Sequence, residues 1–115
     1  MSNTLQNRRR LLCSDQYKQV FDRRQWVASV YFKACVKESG LDYSRLGLAV
    51  SKNISKLAVV RNSLKRHVRE SFRCTKQVSI SLDIIVLPKH KSVKVESEEL
   101  RQDLNLLWKR CQNLQ

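Results

Sequence analysis

The apolar run Ser81–Leu87 (SLDIIVL) constrains the fold of this chain more than any other segment. It is nearly continuous and is followed directly by Pro88, a pattern typical of a short strand that is buried within a sheet. It is far shorter than the roughly 18 apolar residues that a membrane-spanning helix requires. The sequence therefore predicts a sheet that contains this strand.

A first helix and a first strand are predicted upstream of this run. Ser14 can cap the helix, and apolar residues at spacings of three and four give it one apolar face: Tyr17, Val20 and Phe21. Alternation predicts a strand over Trp26–Lys37. Its apolar side carries Ala28, Val30, Phe32, Ala34 and Val36. Its other side carries Ser29, Tyr31, Lys33, Cys35 and Lys37, and this semi-polar side suits an uncovered sheet face.

The remaining elements follow in short steps. A turn at 38–42 (ESGLD) predicts a hairpin that leads into a second strand, Arg45–Ser51, and residues 56–74 give the longest helical pattern. After the basic loop Lys89–Lys94, Ser97 can cap a final helix. Its apolar stripe consists of Leu100, Leu104, Leu107, Trp108 and Cys111. The order predicts one α+β domain over residues 1–115, with a loosely ordered basic segment at 1–12 and room for one more short strand.

The charge balance points to the class of partner. The chain has 23 lysines and arginines against 10 acidic residues, a net charge of +13 in 115 residues. Self-repulsion of this size opposes folding, and a polyanion relieves it as phosphates replace counterions. Nucleic acid is the leading partner. An anionic membrane surface is a weaker alternative, because the basic residues are spread along the chain.

The four cysteines give no metal or disulfide pattern. Cys13, Cys35, Cys74 and Cys111 are far apart, and no two form the C-x-x-C pair that is common in zinc sites. The N-terminal residues do not resemble a secretory signal. We therefore expect reduced cysteines, no metal site in the protein and a cytoplasmic location.

The helix predicted over 56–74 carries most of the functional information. At about 100° per residue, one narrow arc is apolar and faces the core: Leu57, Val60, Leu64, Val68 and Phe72. The neighbouring arc is polar and basic: Asn62, Lys65, Arg66, Arg69 and Arg73. Arg61 lies at the seam between them. His67 lies near the core edge, where a structural histidine is more common than a general base.

The basic arc is costly without a partner. Lys65, Arg66 and Arg69 are neighbours at three- and four-residue spacings, where like charges repel. An anionic ligand removes that cost, and arginine binds phosphate through two donors. The side-chain amide of Asn62 can form hydrogen bonds with a sugar hydroxyl or a base edge. A merely solvated basic face is the alternative, and composition does not choose between RNA and DNA.

The motif Arg61-Asn62-x-x-Lys65-Arg66-x-x-Arg69-Glu70-x-Phe72-Arg73 resembles the Arg-Asn-Arg helix of the ribonuclease P protein subunit. Four further blocks resemble that family in the same order: Tyr17-x-x-Val20-Phe21, Arg45-x-Gly47-Leu48-x-Val50-Ser51-Lys52-Asn53, Asp83-Ile84-Ile85-Val86 and Leu107-Trp108-Lys109-Arg110. Together the blocks cover about residues 8–112. Five ordered blocks are far more specific than one helix.

The resemblance implies a fold and a division of labour. The fold is a four-stranded sheet with three helices and a left-handed βαβ crossover, similar to a domain of a small-ribosomal-subunit protein. The protein assists magnesium-dependent removal of the 5′ leader from precursor tRNA by a catalytic RNA, which binds most of the magnesium. We expect no catalytic residue in the protein, since no carboxylate pair or nucleophile–histidine pair stands at an informative spacing. We also expect no small-molecule substrate and a monomer when the protein is isolated.

The resemblance also implies two sets of site residues. Contacts to the catalytic RNA fall on Lys52, Arg61, Asn62, Lys65, Arg66, Arg69 and Arg73. A cleft for the single-stranded leader falls on Tyr17, Phe21, Tyr31, Lys33 and Cys35. Tyr17 and Phe21 can stack on unpaired bases. Cys35 stands where some members carry an aromatic residue.

Two other functions fit a basic α+β domain. A structural protein bound to ribosomal RNA would have no effect on precursor tRNA processing. A DNA-binding protein would place the basic helix in a major groove and recognise specific bases, although Asn62 is the one obvious base reader on that helix. The resemblance favours the ribonuclease P subunit over both.

Overall fold

The computed structural model describes residues 20, 25–40, 43–75 and 82–113, and these ranges form a mixed α+β domain. Their elements, in chain order, are β1 (Gln25–Ala28), β2 (Phe32–Glu38), β3 (Arg45–Leu48), α1 (Ala58–Cys74), β4 (Leu82–Pro88), a 3-10 helix (His90–Lys94) and α2 (Ser97–Gln112). Two α-helices therefore lie within the described ranges. Apart from Val20, which is helical, the first predicted helix lies outside them.

The described strands form one four-stranded sheet in the order β1-β2-β4-β3. β2 is antiparallel to both β1 and β4, whereas β3 runs parallel to β4. The prediction of a buried strand at Ser81–Leu87 is confirmed, because β4 pairs on both edges and almost all of its residues are buried. α1 comes between the two parallel strands in the chain, so β3, α1 and β4 form a βαβ unit.

Two predictions about the strands are wrong. Trp26–Lys37 is not one strand, because a turn at 29–31 divides it into the antiparallel pair β1 and β2. The turn is fixed by Asp103 of α2, a contact that local alternation cannot reveal. β2 and β3 do not form a hairpin either, since β4 lies between them. β4, the most apolar strand, lies in the interior of the sheet and pairs with a neighbouring strand on each side.

One face of the sheet, the helix-covered face, packs against α1 and α2. The central core cluster on this face combines strand residues with Leu64, Val68 and Phe72 of α1 and the predicted apolar stripe of α2. The rings of Phe72 and Trp108 meet edge to face, with centroids 5.5 Å apart. The indole N–H of Trp108 donates to Ser71 Oγ at 2.8 Å, so this buried polar atom has a partner.

The ends of the two helices differ from the sequence expectations. Leu57 is not in the core: it precedes α1 and is 63% exposed. Ser97 is the first residue of α2 and does not cap it, because its hydroxyl contacts His67 Nε2 at 3.0 Å. Glu98 and Glu99 do lie in the first turn, where negative charge favours the helix dipole. Neither described helix is long and apolar enough to cross a bilayer.

Candidate nucleic-acid interface

α1 presents the predicted polar and basic arc on its surface, and we call this set the basic face: Asn62, Lys65, Arg66, Arg69 and Arg73. Within the described part of the chain, no hydrogen bond or ion pair engages the side chains of Asn62, Lys65, Arg66 or Arg69. Asn62 and Arg66 are exposed, and Lys65 and Arg69 are half-buried. Three cations thus remain available to phosphate.

Arg61 has a different role from the other basic residues of α1. Its Nη1 donates to Ser55 O at 2.8 Å and to Lys56 O at 3.0 Å. These two carbonyls belong to the turn that leads into α1, so the guanidinium holds the approach to the helix. Lys52 lies earlier in the same approach and is exposed. Arg61 is thus hydrogen-bonded to the backbone, whereas Lys52 is exposed to solvent.

Arg73 is paired at the other end of α1. Its Nη2 donates to Glu70 Oε2 at 2.9 Å, and this hydrogen bond is the main reason that the pKa of Arg73 is raised above its usual value. Its Nε is buried and has no hydrogen-bond partner among the described residues. The charge of Arg73 is therefore partly offset by Glu70.

His67 lies between α1 and α2 and has a hydrogen-bond contact at each ring nitrogen. Nδ1 is 2.7 Å from Ser63 O and Nε2 is 3.0 Å from Ser97 Oγ. Because a carbonyl only accepts, Nδ1 carries a proton. The contacts fit the structural role expected for this histidine. The ring also lines a cleft of about 700 Å³ between the two helices, together with Arg66 and Arg101.

The sheet face opposite the helices, here called the second face, holds part of the predicted leader cleft. Lys33 and Cys35 of β2 lie on this face with Ile85 and Leu87 of β4. Lys33 is exposed. Cys35 is fully buried beneath Val20, and its thiol contacts Val20 O at 3.6 Å. The Cys35 side chain is thus covered by protein at this position.

Tyr31 does not join Lys33 and Cys35. It lies in the turn before β2 and packs with the core cluster of the helix-covered face. Its hydroxyl donates to Glu99 Oε2 of α2 at 2.9 Å, and this bond is the main reason that the pKa of Tyr31 is raised. The alternation that placed Tyr31 beside Lys33 fails because the strand is interrupted there. Tyr17 and Phe21, the predicted stacking residues, lie outside the described residues.

Trp26 is an aromatic residue on the second face that the sequence interpretation did not assign to the site. It is the cross-strand partner of Cys35. Its side chain is 44% exposed, and the ammonium of Lys33 lies 5.5 Å from its ring centroid. The only sequence signal was an aromatic at the start of a strand, and the pairing register was needed to place it.

Comparison with known proteins identifies the family. The family model described as Ribonuclease P matches residues 5–112. The chain belongs to the ribonuclease P protein family. Its relatives include the ribonuclease P protein component of Pseudomonas putida, which is 40% identical over 111 residues, 96% of this chain and 84% of the relative. That of Pseudomonas aeruginosa is 41% identical over 103 residues, 89% and 76% of the two chains.

Solved ribonuclease P proteins share the fold. The protein from Thermotoga maritima superposes with a TM-score of 0.80 at 34% identity, covering 88% of this chain and 96% of that one. The protein from Staphylococcus aureus gives a TM-score of 0.81 at 26% identity, covering 89% and 94%. The chain is thus a protein subunit of ribonuclease P, the ribonucleoprotein endoribonuclease that acts with an RNA subunit in tRNA 5′ leader processing.

Proposed function

We propose that the basic face of α1 binds the catalytic RNA of ribonuclease P and that the second face of the sheet receives the 5′ leader of precursor tRNA. The observation that carries the first half is a group of cations on α1 that no described residue pairs with, Lys65, Arg66 and Arg69. These charges repel one another in the free protein. Phosphates of the RNA relieve that repulsion, so assembly is favoured by the same charges that oppose folding.

The contribution of α1 is binding energy and position. Lysine and arginine neutralise phosphates and release counterions, which makes affinity strongly dependent on salt. Asn62 is exposed beside these cations, and its amide can donate and accept at a ribose hydroxyl or a base edge. Lys52 extends the contact ahead of the helix. Arg61 supports this surface mainly by ordering the turn at Ser55 and Lys56; Arg73, offset by Glu70, is a weaker contact.

Leader binding rests on stacking and phosphate contacts. Exposed Lys33 on the second face suits the phosphates of a single strand, and Tyr17 and Phe21 suit stacking on its unpaired bases without sequence preference. Cys35 forms part of the buried floor of this face. Tyr31 contributes indirectly, because its bond to Glu99 fixes the turn that precedes β2.

The chemistry belongs to the RNA in this proposal. A protein with a net charge of +13 disfavours cations, whereas RNA phosphates attract them, so magnesium is bound mainly by the RNA. Among the described residues, no group of three or more His, Cys, Asp or Glu side chains is arranged to hold a metal ion. The protein screens phosphate repulsion between the catalytic RNA and the precursor. It thereby lowers the magnesium concentration that cleavage requires.

The finer features of the fold and the cell biology belong to the same proposal. The whole chain forms one RNA-binding domain, with a left-handed βαβ crossover like that of a domain of a small-ribosomal-subunit protein. β3, α1 and β4 supply the βαβ unit that such a crossover requires. Self-repulsion from the net charge favours a monomer. The RNA partners favour a cytoplasmic location.

Cleavage of precursor tRNA by a bacterial ribonuclease P RNA, at low magnesium, tests the function. We expect the protein to stimulate cleavage strongly, and shortening the leader to reduce that stimulation. Protein alone should leave the precursor intact. Tight binding to the cognate RNA without stimulation would contradict the proposal and favour a purely structural RNA-binding role. Efficient cleavage by protein alone would overturn the division of labour.

A further inference from the structure

Trp26 ends a row of residues that crosses the second face. Its neighbours in register are Cys35 of β2, Ile85 of β4 and Gly47 of β3. Cys35 and Ile85 are fully buried and pack with Val20. Trp26, at the β1 end, is 44% exposed. Protein therefore covers the centre of the row, whereas its Trp26 end is exposed to solvent.

The exposure of Trp26 contrasts with the second tryptophan of the chain. Trp108 is fully buried, with its ring against Phe72 and its N–H on Ser71. Trp26 instead leaves a large aromatic surface in contact with solvent, on an edge strand whose residues are mostly exposed. Aromatic residues, tryptophan included, are enriched at the surfaces through which proteins bind their partners.

Lys33 defines the chemistry of that surface. Its ammonium lies 5.5 Å from the centroid of the Trp26 ring, within the range of a cation–π contact. Lys33 is exposed and belongs to the strand next to β1. A flat aromatic ring beside an exposed cation matches one nucleotide of a single strand, since the base stacks and the phosphate meets the ammonium. A duplex keeps its bases stacked on each other and offers the ring no free base face.

We infer that Trp26 stacks on an unpaired base of the precursor tRNA 5′ leader and that Lys33 contacts an adjacent phosphate. This assignment rests on the proposed leader-binding role of the second face and names one residue pair that carries it. Cys35, the cross-strand partner of Trp26 on the same face, is fully buried, so Trp26 is the member of this cross-strand pair that a ligand in solution reaches.

The test compares precursor tRNA with leaderless tRNA, each bound to the holoenzyme assembled from this protein and a cognate ribonuclease P RNA. Trp26→Leu keeps an apolar side chain but removes the aromatic ring, whereas Trp26→Phe keeps a smaller ring. Leu106→Gln is the matched control, because Leu106 is an exposed apolar residue, 37% exposed, on α2. Thermal unfolding of each variant verifies that it folds.

We expect Trp26→Leu to weaken precursor binding by about five-fold or more, with no change for leaderless tRNA. Trp26→Phe should retain most of the affinity, and Leu106→Gln all of it. If Trp26→Leu binds like the wild type while the wild type still prefers the leader, the Trp26 assignment fails and the proposed function stands. If the wild type shows no leader preference, both fail.

Acrylamide quenching of tryptophan fluorescence gives an independent measurement. Because Trp108 is fully buried, collisional quenching reports mainly on Trp26. Binding of precursor tRNA to the holoenzyme should protect Trp26 from acrylamide, and binding of leaderless tRNA should not. Equal quenching with both ligands would overturn the assignment.

Discussion

Asp83, in the middle of the apolar strand β4, is bound at two points by Arg45 of the parallel strand β3. Arg45 Nε donates to Oδ1 at 2.8 Å and Nη2 donates to Oδ2 at 2.7 Å. The side chain of Asp83 is 1% exposed and that of Arg45 is 16% exposed. The carboxylate therefore joins the two strands on either side of α1 in the chain, which explains its place in an apolar strand without any catalytic role.

Arg45→Ala should destabilise the protein by about 3–5 kcal/mol, because it leaves the carboxylate of Asp83 buried without its partner. The free energy of unfolding from urea titrations checks this. The double variant Arg45→Met with Asp83→Leu removes both charges and should recover most of the loss. A single variant as stable as the wild type would show that the pair does not hold β3 to β4.

Asp103 of α2 fixes the turn between β1 and β2 through three hydrogen bonds. Its carboxylate accepts from Ser29 Oγ at 2.6 Å, Val30 N at 3.0 Å and Tyr31 N at 2.9 Å. Asp103→Ala should cost at least about 1.5–3 kcal/mol, the range for one hydrogen bond to a charged group. Urea unfolding measures the loss. The adjacent exposed Gln102→Ala is the control, and equal stability of the two variants would contradict a structural role for Asp103.

The elements with strong local patterns were predictable from sequence. The α1 helix, the buried strand β4 and the apolar stripe of α2 all emerged from hydrophobic spacing, because burial imposes that spacing directly. The basic face of α1 was predictable for the same reason: residues three and four apart lie together on a helix. Family membership followed from five motif blocks in a fixed order.

Long-range contacts account for what the sequence did not reveal. The division of Trp26–Lys37 into two strands depends on Asp103, more than 70 residues away in the chain. The position of β4 between β2 and β3 depends on strand pairing, which alternation alone does not specify. Tyr31 was therefore placed on the wrong face and Trp26 was missed, since the register decides which side chains share the second face.

Lys65→Ala and Arg69→Ala should each weaken assembly with the catalytic RNA and flatten its salt dependence. Each phosphate contact that is lost should reduce the slope of log K against log salt by about one. Filter-binding titrations at several salt concentrations give these slopes. Lys109→Ala, which removes an exposed cation from α2, is the control with the same change in net charge.

Unchanged slopes for both α1 variants would exclude the basic face from the RNA interface. Arg61→Ala provides a contrast, because its guanidinium is bound to Ser55 O and Lys56 O. We expect Arg61→Ala to lower thermal stability as well as RNA affinity, whereas Lys65→Ala and Arg69→Ala should lower affinity with little change in stability.

Phe72→Ala should destabilise the fold by about 3–5 kcal/mol, because it empties a fully buried site between the sheet and α2. The loss includes the edge-to-face contact with Trp108. Urea unfolding followed by circular dichroism measures it. Phe72→Leu keeps most of the volume and should cost clearly less. Equal losses for both variants would show that the volume filled by the Phe72 ring does not account for its contribution to the free energy of unfolding.

Cys111 should make stability depend on pH in the alkaline range. Burial raises the pKa of its thiol from the ordinary 9.0 to about 12, so the folded protein holds this proton more tightly than the unfolded chain does. The resulting stability is present below pH 9 and is lost as the pH rises toward 12. Under reducing conditions, the difference in unfolding free energy between wild type and Cys111→Ala should shrink from pH 8 to pH 11. A constant difference for Cys111→Ala would mean that the thiol ionises equally well in the folded protein.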